Sequence, residues 1–156
     1  MQKQSSSKIT NIASITATRY IRRRQIAYAS AKGAVIRFTK AIGVIYANIR
    51  SNCVVRVLMY TPLVDNVAQS SEVGDHEAAK RLLNHDCPMG WMGTGADVVN
   101  AVAGLASDAS RYMTSHALVV DGGIRESRYQ SFSFIESQRT RFNTYWTKCT
   151  TRNLQF

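Results

Sequence analysis

Three short apolar runs containing β-branched residues constrain the fold of this chain more than any other feature of its sequence. The runs are "SKITNIASI" (Ser7–Ile15), "SNCVVRVLM" (Ser51–Met59) and "SHALVVDGG" (Ser115–Gly123), and segments with helical character separate them. Runs of this type are typical of strands that are buried on both faces of a parallel sheet. The alternation of strand and helix therefore predicts an α/β fold, with about three parallel strands joined by right-handed crossover helices.

The segments between and after these runs predict two helices and two less regular regions. The first helix, about Ile26–Ala47, is apolar on most faces, which favours a position between the sheet and another protein surface. The second, "GTGADVVNAVAGLASD", begins at Thr94, and Asp97 three residues later completes a capping-box pattern. Residues 64–84 are predicted to form short helices in a mobile segment. We expect a domain over residues 1–124 and a flexible, basic, Ser/Thr-rich tail over residues 125–156.

The charge of the chain is strongly positive and unevenly distributed. The formal net charge is +10, and eleven lysines and arginines precede Asp65, the first acidic residue. The cluster "RYIRRR" (Arg19–Arg24) could attract nucleotide phosphates, nucleic acid or acidic lipid, or could simply be a solvated loop. No zinc finger, aromatic RNA-binding motif or basic heptad accompanies this charge, so nucleic-acid binding rests on charge alone and is not the preferred interpretation.

Cysteine spacing and hydropathy argue against disulfide-rich, zinc-binding and membrane-spanning classes of protein. Cys53, Cys87 and Cys149 have no short paired spacing, so we expect no disulfide framework, no metal site and a reducing, cytoplasmic location. His85 lies close to Cys87, but two ligands do not complete a tetrahedral zinc site. No run of 18 apolar residues is present, so no membrane span is expected.

Tyr28 and Lys32 are the residues that suggest a chemical function. They stand four apart in "AYASAKGAVIRFTKAI", so on a helix both project from one face. An ammonium group beside a phenol stabilises the phenolate, which makes tyrosine a usable proton donor and acceptor. Ser14, at the end of the first strand, can come level with the start of this helix and hold a carbonyl or alcohol oxygen. The Tyr-x-x-x-Lys spacing alone is a weak pattern that occurs by chance in many helices.

The surroundings of this pair make the pattern far more specific. The segments "NIASITA", "AYASAKGAVIRFTKAI", "NIRSNCV", "TPLV" and "PMGWMGTGADVVNAVAGLASDASRYMTSHALVVDGG" occur in this order over residues 8–124. Together they closely resemble the C-terminal half of the short-chain dehydrogenase/reductase family, with the 3-oxoacyl-carrier-protein reductase and glucose dehydrogenase branches most similar. The resemblance implies the C-terminal portion of a Rossmann-like, doubly wound parallel sheet whose N-terminal nucleotide-binding half is missing from this chain.

The resemblance also implies an activity, a cofactor and partners. The family transfers hydride between NAD or NADP and a small-molecule carbonyl or alcohol substrate. By position, Ser14, Tyr28 and Lys32 match the catalytic residues; Tyr28, Lys32, Met59 and Thr61 match residues that contact the cofactor. Residues 65–87 match a segment that covers the substrate. The helix over residues 26–47 matches the family's oligomer interface, which predicts a homo-oligomer or pairing with a homologue.

Several positions depart from the family pattern. The glycine-rich T-G-x-x-x-G-x-G motif is absent, although its backbone normally cradles the pyrophosphate. Arg56 and Val57 stand where Pro-Gly is usual, and Arg56 there adds bulk near the cofactor unless its cation meets a phosphate. Ser51 replaces a buried valine and needs a hydrogen-bond partner, and Ser115 replaces a glycine. These departures leave a second hypothesis open, a truncated non-catalytic remnant that oligomerises with a full-length homologue.

Overall fold

A computed structural model of the chain describes residues 7–21, 25–57, 59–62, 64, 84 and 87–127. Within these residues the chain forms a three-stranded parallel sheet with helices packed against it. The strands are β1 (Ser7–Ser14), β2 (Ile49–Arg56) and β3 (Ala117–Val120). The helices are α1 (Ile26–Ile45) and α2 (Gly95–Ala106), and short 3₁₀ helices span Ile15–Ala17 and Asp108–Ser110.

The strands pair in their order along the chain, β1–β2–β3, and both pairings are parallel. The register of the first pair runs from Ser7 opposite Ile49 to Ser14 opposite Arg56. The second pair places Arg56 opposite Val120, so Arg56 ends the central strand with a neighbour on each side. The predicted α/β fold with parallel strands is therefore confirmed, and the carboxyl ends of the strands meet at one edge of the sheet.

The core lies where β1 and β2 meet the segments that follow them. Ala13 and Ile15 pack there with the buried side chains of β2 and with residues from later in the chain, such as Cys87 and Ile124. Its buried members are Ala13, Ile15, Cys53, Val55, Val57, Met59, Cys87 and Ile124. Because β2 lies between the other two strands, it is the most completely buried of the three.

The sheet-facing side of helix α1 combines small and polar residues with the half-buried Val35 and Ile36, which pack against the core. Thr39 and Gly43 are the buried residues of the helix. The Thr39 hydroxyl donates to the carbonyl oxygen of Val35 at 2.8 Å and accepts from Asn11 Nδ2 of β1 at 2.9 Å. Other large side chains of α1 point outward and leave an apolar face exposed; it comprises Ile26, Phe38, Val44 and Ile45.

Helix α2 is fixed at both ends. At its start, the Asp97 carboxylate accepts hydrogen bonds from the backbone N–H and the hydroxyl of Thr94, at 2.7 and 2.9 Å, which confirms the predicted capping pattern. At its end, the Arg50 guanidinium of β2 donates to the carbonyl oxygens of Leu105, Ser107 and Met113. The Leu105 and Ser107 carbonyl oxygens also accept from the Ser110 hydroxyl, so the arginine and this serine together satisfy carbonyl groups that lack a partner within the helix.

Several element ends differ from the sequence predictions. Helix α1 ends at Ile45 rather than Ala47, and β1 ends at Ser14 because Ile15 begins a 3₁₀ turn. Strand β2 begins two residues before Ser51 and ends at Arg56 rather than at Met59. Between residues 64 and 87, the described chain includes Val64, Asn84 and Cys87, so the predicted mobile segment lies largely outside the described residues, as does the tail beyond residue 127.

The basic cluster does not form a fully solvated surface over its described part. The Arg19 guanidinium donates to the carbonyl oxygens of Ile124, Arg125 and Ser127. These hydrogen bonds connect the loop after β1 with the last residues of the described chain. Residues 22–24 lie outside the described part of the cluster. No helix of the described residues has the length and apolar character that crossing a bilayer requires.

Candidate functional site

The candidate site lies where the carboxyl ends of β1 and β2 approach the first turns of α1. Ser14 is the last residue of β1, and it stands opposite Arg56, the last residue of β2. Neighbouring strands lie about 5 Å apart, so these two positions are adjacent. Tyr28 and Lys32 come from the start of α1. In open α/β sheets, ligands bind beyond this edge of the strands.

Tyr28 and Lys32 lie on one side of α1, as their spacing predicts. The Lys32 ammonium nitrogen is 5.8 Å from the centroid of the Tyr28 ring. The same nitrogen donates to the carbonyl oxygen of Ile12 at 2.9 Å, which ties the start of α1 to β1 two residues before Ser14. The Tyr28 side chain keeps 37% of its surface exposed, so its phenol is open to a ligand.

Ser14 is buried, and its hydroxyl oxygen is held by Thr16 rather than by Tyr28. Ser14 Oγ accepts from the backbone N–H of Thr16 at 3.3 Å and from its hydroxyl at 3.0 Å. These bonds cap the 3₁₀ helix Ile15–Ala17. Because a serine hydroxyl can both donate and accept, Ser14 can still donate its own hydrogen to a substrate oxygen. Thr16 is not among the residues that the sequence singled out, although a serine side chain commonly accepts from the backbone N–H two residues later.

Arg56 reaches the candidate site from the central strand. Its Nη2 atom lies 3.5 Å from the phenolic oxygen of Tyr28, and its Nη1 donates to the carbonyl oxygen of Val57 at 3.2 Å. Val57 is buried and does not adopt a positive φ angle, so the valine is accommodated without the strain that a glycine conformation would cause. The sequence marked Arg56 as a departure from the family pattern, and the structure places its guanidinium beside the candidate acid/base.

Met59 and Thr61 lie beyond the end of β2, on a segment that is hydrogen-bonded to the residues just before α2. The backbone N–H of Tyr60, between them, donates to the carbonyl oxygen of Gly93 at 2.7 Å. Met59 is buried against Gly93, and the Thr61 carbonyl oxygen accepts from the Val64 N–H at 2.8 Å. Among the hydrogen bonds of the described residues, none joins Met59 or Thr61 to the Tyr28–Lys32 pair. Their role in cofactor binding stays a prediction.

The electrostatics of the site are dominated by positive charge. Lys32 and Arg56 flank the Tyr28 ring, whereas the ion pairs of the described residues, Lys8–Asp108 and Arg125–Glu126, lie elsewhere. Burial raises the pKa of the nearby core thiol, Cys53, above its ordinary value, so that sulfur stays protonated and is a poor nucleophile. No metal-binding group of three or more histidine, cysteine or acidic side chains occurs among the described residues.

Fold and site together define a class of protein, an α/β protein with a tyrosine–lysine pair at the carboxyl edge of a parallel sheet. The sequence profile described as enoyl-(acyl carrier protein) reductase matches residues 1–125. The chain belongs to the short-chain dehydrogenase/reductase family, which confirms the resemblance seen in the sequence.

Individual relatives agree with this assignment. The chain is 38% identical to the 3-oxoacyl-(acyl-carrier-protein) reductase of Chlamydia pneumoniae over 126 residues, which are 80% of this chain and 47% of that protein. The crystal structure of a short-chain dehydrogenase/reductase from Burkholderia xenovorans superposes with a TM-score of 0.74 at 38% identity, covering 83% of this chain and 49% of the other. The structure of ElxO with NADP bound gives a TM-score of 0.71 at 32% identity, covering 81% and 50%. The chain therefore spans about half the length of the relatives it matches.

Proposed function

We propose that this chain carries the acid/base site of an NAD(P)-dependent oxidoreductase that interconverts a small carbonyl compound and its alcohol. The observation that carries the proposal is the placement of Tyr28 and Lys32. Lys32 is bonded to β1 beside Ser14, and it stands close to an exposed phenol. A phenol flanked by a cation, at the edge of the sheet where Ser14 ends β1, suits the transfer of a proton to or from a substrate oxygen.

Each residue has a defined role in this proposal. Ser14 donates its hydroxyl hydrogen to the substrate oxygen and fixes its orientation. Tyr28 gives its phenolic proton to that oxygen during carbonyl reduction and takes it back during alcohol oxidation. Lys32 stabilises the phenolate left behind by its positive charge. Its anchoring to Ile12 keeps this charge in place, so the environment does not need to reorganise as the proton moves.

The residues present fit the nicotinamide end of a dinucleotide. The Lys32 ammonium uses one of its N–H groups on Ile12, and the remaining two can donate to ribose hydroxyls. The Thr61 side chain, half-buried after β2, can donate to a carboxamide or phosphate oxygen. When bound, the reduced nicotinamide supplies the hydride. NADP or NADPH was bound in several related structures, and the choice between NAD and NADP stays open for this chain.

The test of this proposal is the oxidation of NADH and NADPH by the purified chain over a panel of ketones and aldehydes. A general acid contributes roughly 10²–10⁴-fold to a rate, so Tyr28→Phe should reduce kcat at least 100-fold while the fold is retained. Tyr46→Phe, at the other end of α1, is the matched control and should have no effect. Equal turnover by the Tyr28→Phe variant and the unaltered chain would refute the assignment.

A second candidate function rests on the apolar face of α1. Ile26, Phe38, Val44 and Ile45 are 57–84% exposed, an unusual fraction for large apolar side chains on one helix. In this alternative, the chain is a non-catalytic subunit that uses α1 to pair with a second copy or with a full-length homologue. Light scattering of the unaltered chain should then show a dimer or larger oligomer, and Phe38→Glu together with Val44→Lys should give the monomer. The same oligomer in both would exclude α1 as the interface.

A further inference from the structure

The phenolic oxygen of Tyr28 is bordered by positive charge that no acidic group in the described chain balances. Arg56 Nη2 lies 3.5 Å from this oxygen, and the Lys32 ammonium lies 5.8 Å from the ring centroid. Ion pairs within 4.0 Å among the described residues are Lys8–Asp108 and Arg125–Glu126, and neither includes Arg56 or Lys32. An exposed phenol between two unpaired cations attracts an anionic ligand.

Arg56 has the donors and the rigidity that such a ligand requires. Its guanidinium has five N–H groups, and its bonds to Val57 and Tyr28 leave others free to donate. A guanidinium binds a carboxylate through two parallel hydrogen bonds, which a lysine cannot reproduce. The residue is half-buried and ends the central strand, with Ser14 and Val120 as its neighbours in the sheet. This placement limits where the guanidinium can reach.

We propose that Arg56 determines substrate specificity by binding a carboxylate directly attached to the reacting carbon, so that the substrate is a 2-oxo acid and the product a 2-hydroxy acid. This proposal rests on the proposed function. Bond lengths place a carboxylate oxygen of a 2-oxo acid about 3 Å from its carbonyl oxygen. That spacing matches the 3.5 Å between Arg56 Nη2 and the phenolic oxygen of Tyr28, so one small substrate can reach both groups.

The reaction balances without any further reactant. The carbonyl carbon receives a hydride, with its two electrons, from the reduced nicotinamide cofactor, and the carbonyl oxygen receives the phenolic proton of Tyr28. The C=O double bond becomes a C–O single bond that bears a hydroxyl group, and the cofactor leaves oxidised. The carboxylate is unchanged throughout, and Arg56 keeps it bound. Arg56 therefore positions and selects the substrate, whereas Tyr28 transfers the proton.

An anion at Arg56 could also come from a phosphate of the dinucleotide. The carboxylate is favoured because Arg56 lies at the oxygen of Tyr28, where the reacting group must be, whereas Lys32 covers the ring and the β1 side. The two sources give different results with separate probes. Oxamate mimics a 2-oxo acid and cannot be reduced at the same carbon, oxamide is its uncharged counterpart, and inorganic pyrophosphate mimics the phosphates of the cofactor.

The experiment is a binding titration of the full chain with each probe, with and without saturating NADPH. NMR chemical shifts of the protein report the binding. Oxamate should bind, and Arg56→Gln should weaken it at least tenfold, whereas Arg56→Lys should restore only part of the affinity. Oxamide should bind equally to the unaltered chain and to Arg56→Gln. Arg37→Gln removes an exposed arginine of α1 and should leave oxamate affinity unchanged. Far-UV circular dichroism and thermal unfolding check that each variant is folded.

Three outcomes would overturn the proposal. In the first, oxamate does not bind the unaltered chain with or without NADPH. In the second, Arg56→Gln binds oxamate as tightly as the unaltered chain does, and in the third, this variant loses affinity for pyrophosphate alone. Turnover of pyruvate and of its methyl ester separates this proposal from the proposed function. Equal reduction of both compounds, insensitive to Arg56→Gln, leaves the oxidoreductase assignment standing and refutes the 2-oxo acid specificity. Arg56-dependent oxamate binding without turnover of either compound or of any ketone or aldehyde in the panel would leave a carboxylate site at Arg56. It would refute both the oxidoreductase assignment and the 2-oxo acid substrate that rests on it.

Discussion

Ser51 lies in the central strand of the sheet, near its start, with a side chain that is fully buried. It is 0% exposed, and its hydroxyl is buried without a hydrogen-bond partner among the groups around it. The backbone of the same residue is satisfied, since its N–H donates to the Thr114 hydroxyl and its carbonyl oxygen accepts from the Ser115 N–H. The sequence predicted that a serine at this position would need a partner, and the structure shows that the hydroxyl lacks one.

We predict that Ser51→Ala stabilises the protein. A buried hydroxyl without a partner costs about 1–3 kcal/mol, and alanine removes it with little change in volume. The free energy of unfolding, measured by urea denaturation, should therefore rise by about 1 kcal/mol. Ser110→Ala is the control with the opposite sign. Ser110 is also buried, but its hydroxyl donates to Leu105 and accepts from Arg50, so its removal should destabilise the fold. A loss of stability in Ser51→Ala would contradict the absence of a partner.

Arg56 shows what single-residue patterns in a sequence cannot predict. The spacing of Tyr28 and Lys32 was sufficient to place them on one side of a helix, because the helical period relates residues four apart. The approach of Arg56 to Tyr28 joins residues 28 positions apart through the packing of α1 on β2. No local pattern encodes such a contact, so the sequence identified the residue only as a departure from the family pattern.

At the scale of whole elements, Gly43 shows how closely α1 packs against the chain before β3. A Cβ atom at Gly43 would lie 2.5 Å from both Ser115 Oγ and Thr114 Oγ1, and 2.9 Å from the Ser115 nitrogen. Ser115 itself has a φ of 58° and donates its hydroxyl to the Lys40 carbonyl oxygen. The absence of a side chain at Gly43 therefore allows α1 and the strained turn at Ser115 to lie in close contact.

We predict that Gly43→Ala destabilises the protein, whereas Gly33→Ala on the same helix stabilises it. The methyl group at position 43 meets backbone that cannot easily move, and overpacking of this kind costs about 1–3 kcal/mol. At position 33 nothing lies within 4 Å of the added atom, so the higher helix propensity of alanine should contribute about 0.5–1 kcal/mol. Chemical denaturation of both variants measures the difference. Equal effects would show that Gly43 does not set the helix-to-loop distance.

The elements themselves were well predicted, and their ends were less so. Within the residues that the structure describes, apolar periodicity identified the three strands and the two α-helices, because a buried parallel strand and a long helix leave different patterns. The start of β2 was placed two residues too late, at Ser51, because Arg50 is a charged residue that apolar content does not assign to a buried strand. In the folded protein, the Arg50 guanidinium bonds the carbonyl oxygens of Leu105, Ser107 and Met113. The partners that make this residue suitable for a strand lie more than 50 positions further along the chain.

At the scale of the whole molecule, part of the excess positive charge has a structural use. Arg19 and Arg50 direct their guanidinium groups to main-chain carbonyl oxygens, and Lys32 does the same at Ile12. Each of these bonds joins parts of the chain that are far apart in sequence, and Arg50 in particular connects β2 with the end of α2. The N–H groups used in these bonds are not available to phosphate oxygens, although the charges themselves remain. This use of the donors weakens the interpretation of the basic composition as a nucleic-acid interface.

Asp97 and Asp108 give the molecule a predictable response to acid. Hydrogen bonds from the backbone and side chain of Thr94 hold the pKa of Asp97 below its ordinary value, and the bond and charge of Lys8 do the same for Asp108. A carboxyl whose pKa is lower in the folded state takes up its proton first in the unfolded chain. Its stabilising contribution is therefore complete above the ordinary pKa, near 4, and is lost as the pH falls through the folded value.

We predict that the variant Asp97→Asn/Asp108→Asn loses stability less steeply than the unaltered chain as the pH falls below about 4. Thermal unfolding across that range, at low and at high salt, measures the slope. The two single variants should differ, because Asp108 depends on the charge of Lys8, whereas Asp97 is bound by neutral donors. Salt should therefore reduce the contribution of Asp108 and leave that of Asp97 largely intact. Identical acid slopes in the double variant and the unaltered chain would show that neither carboxylate is more acidic in the folded protein.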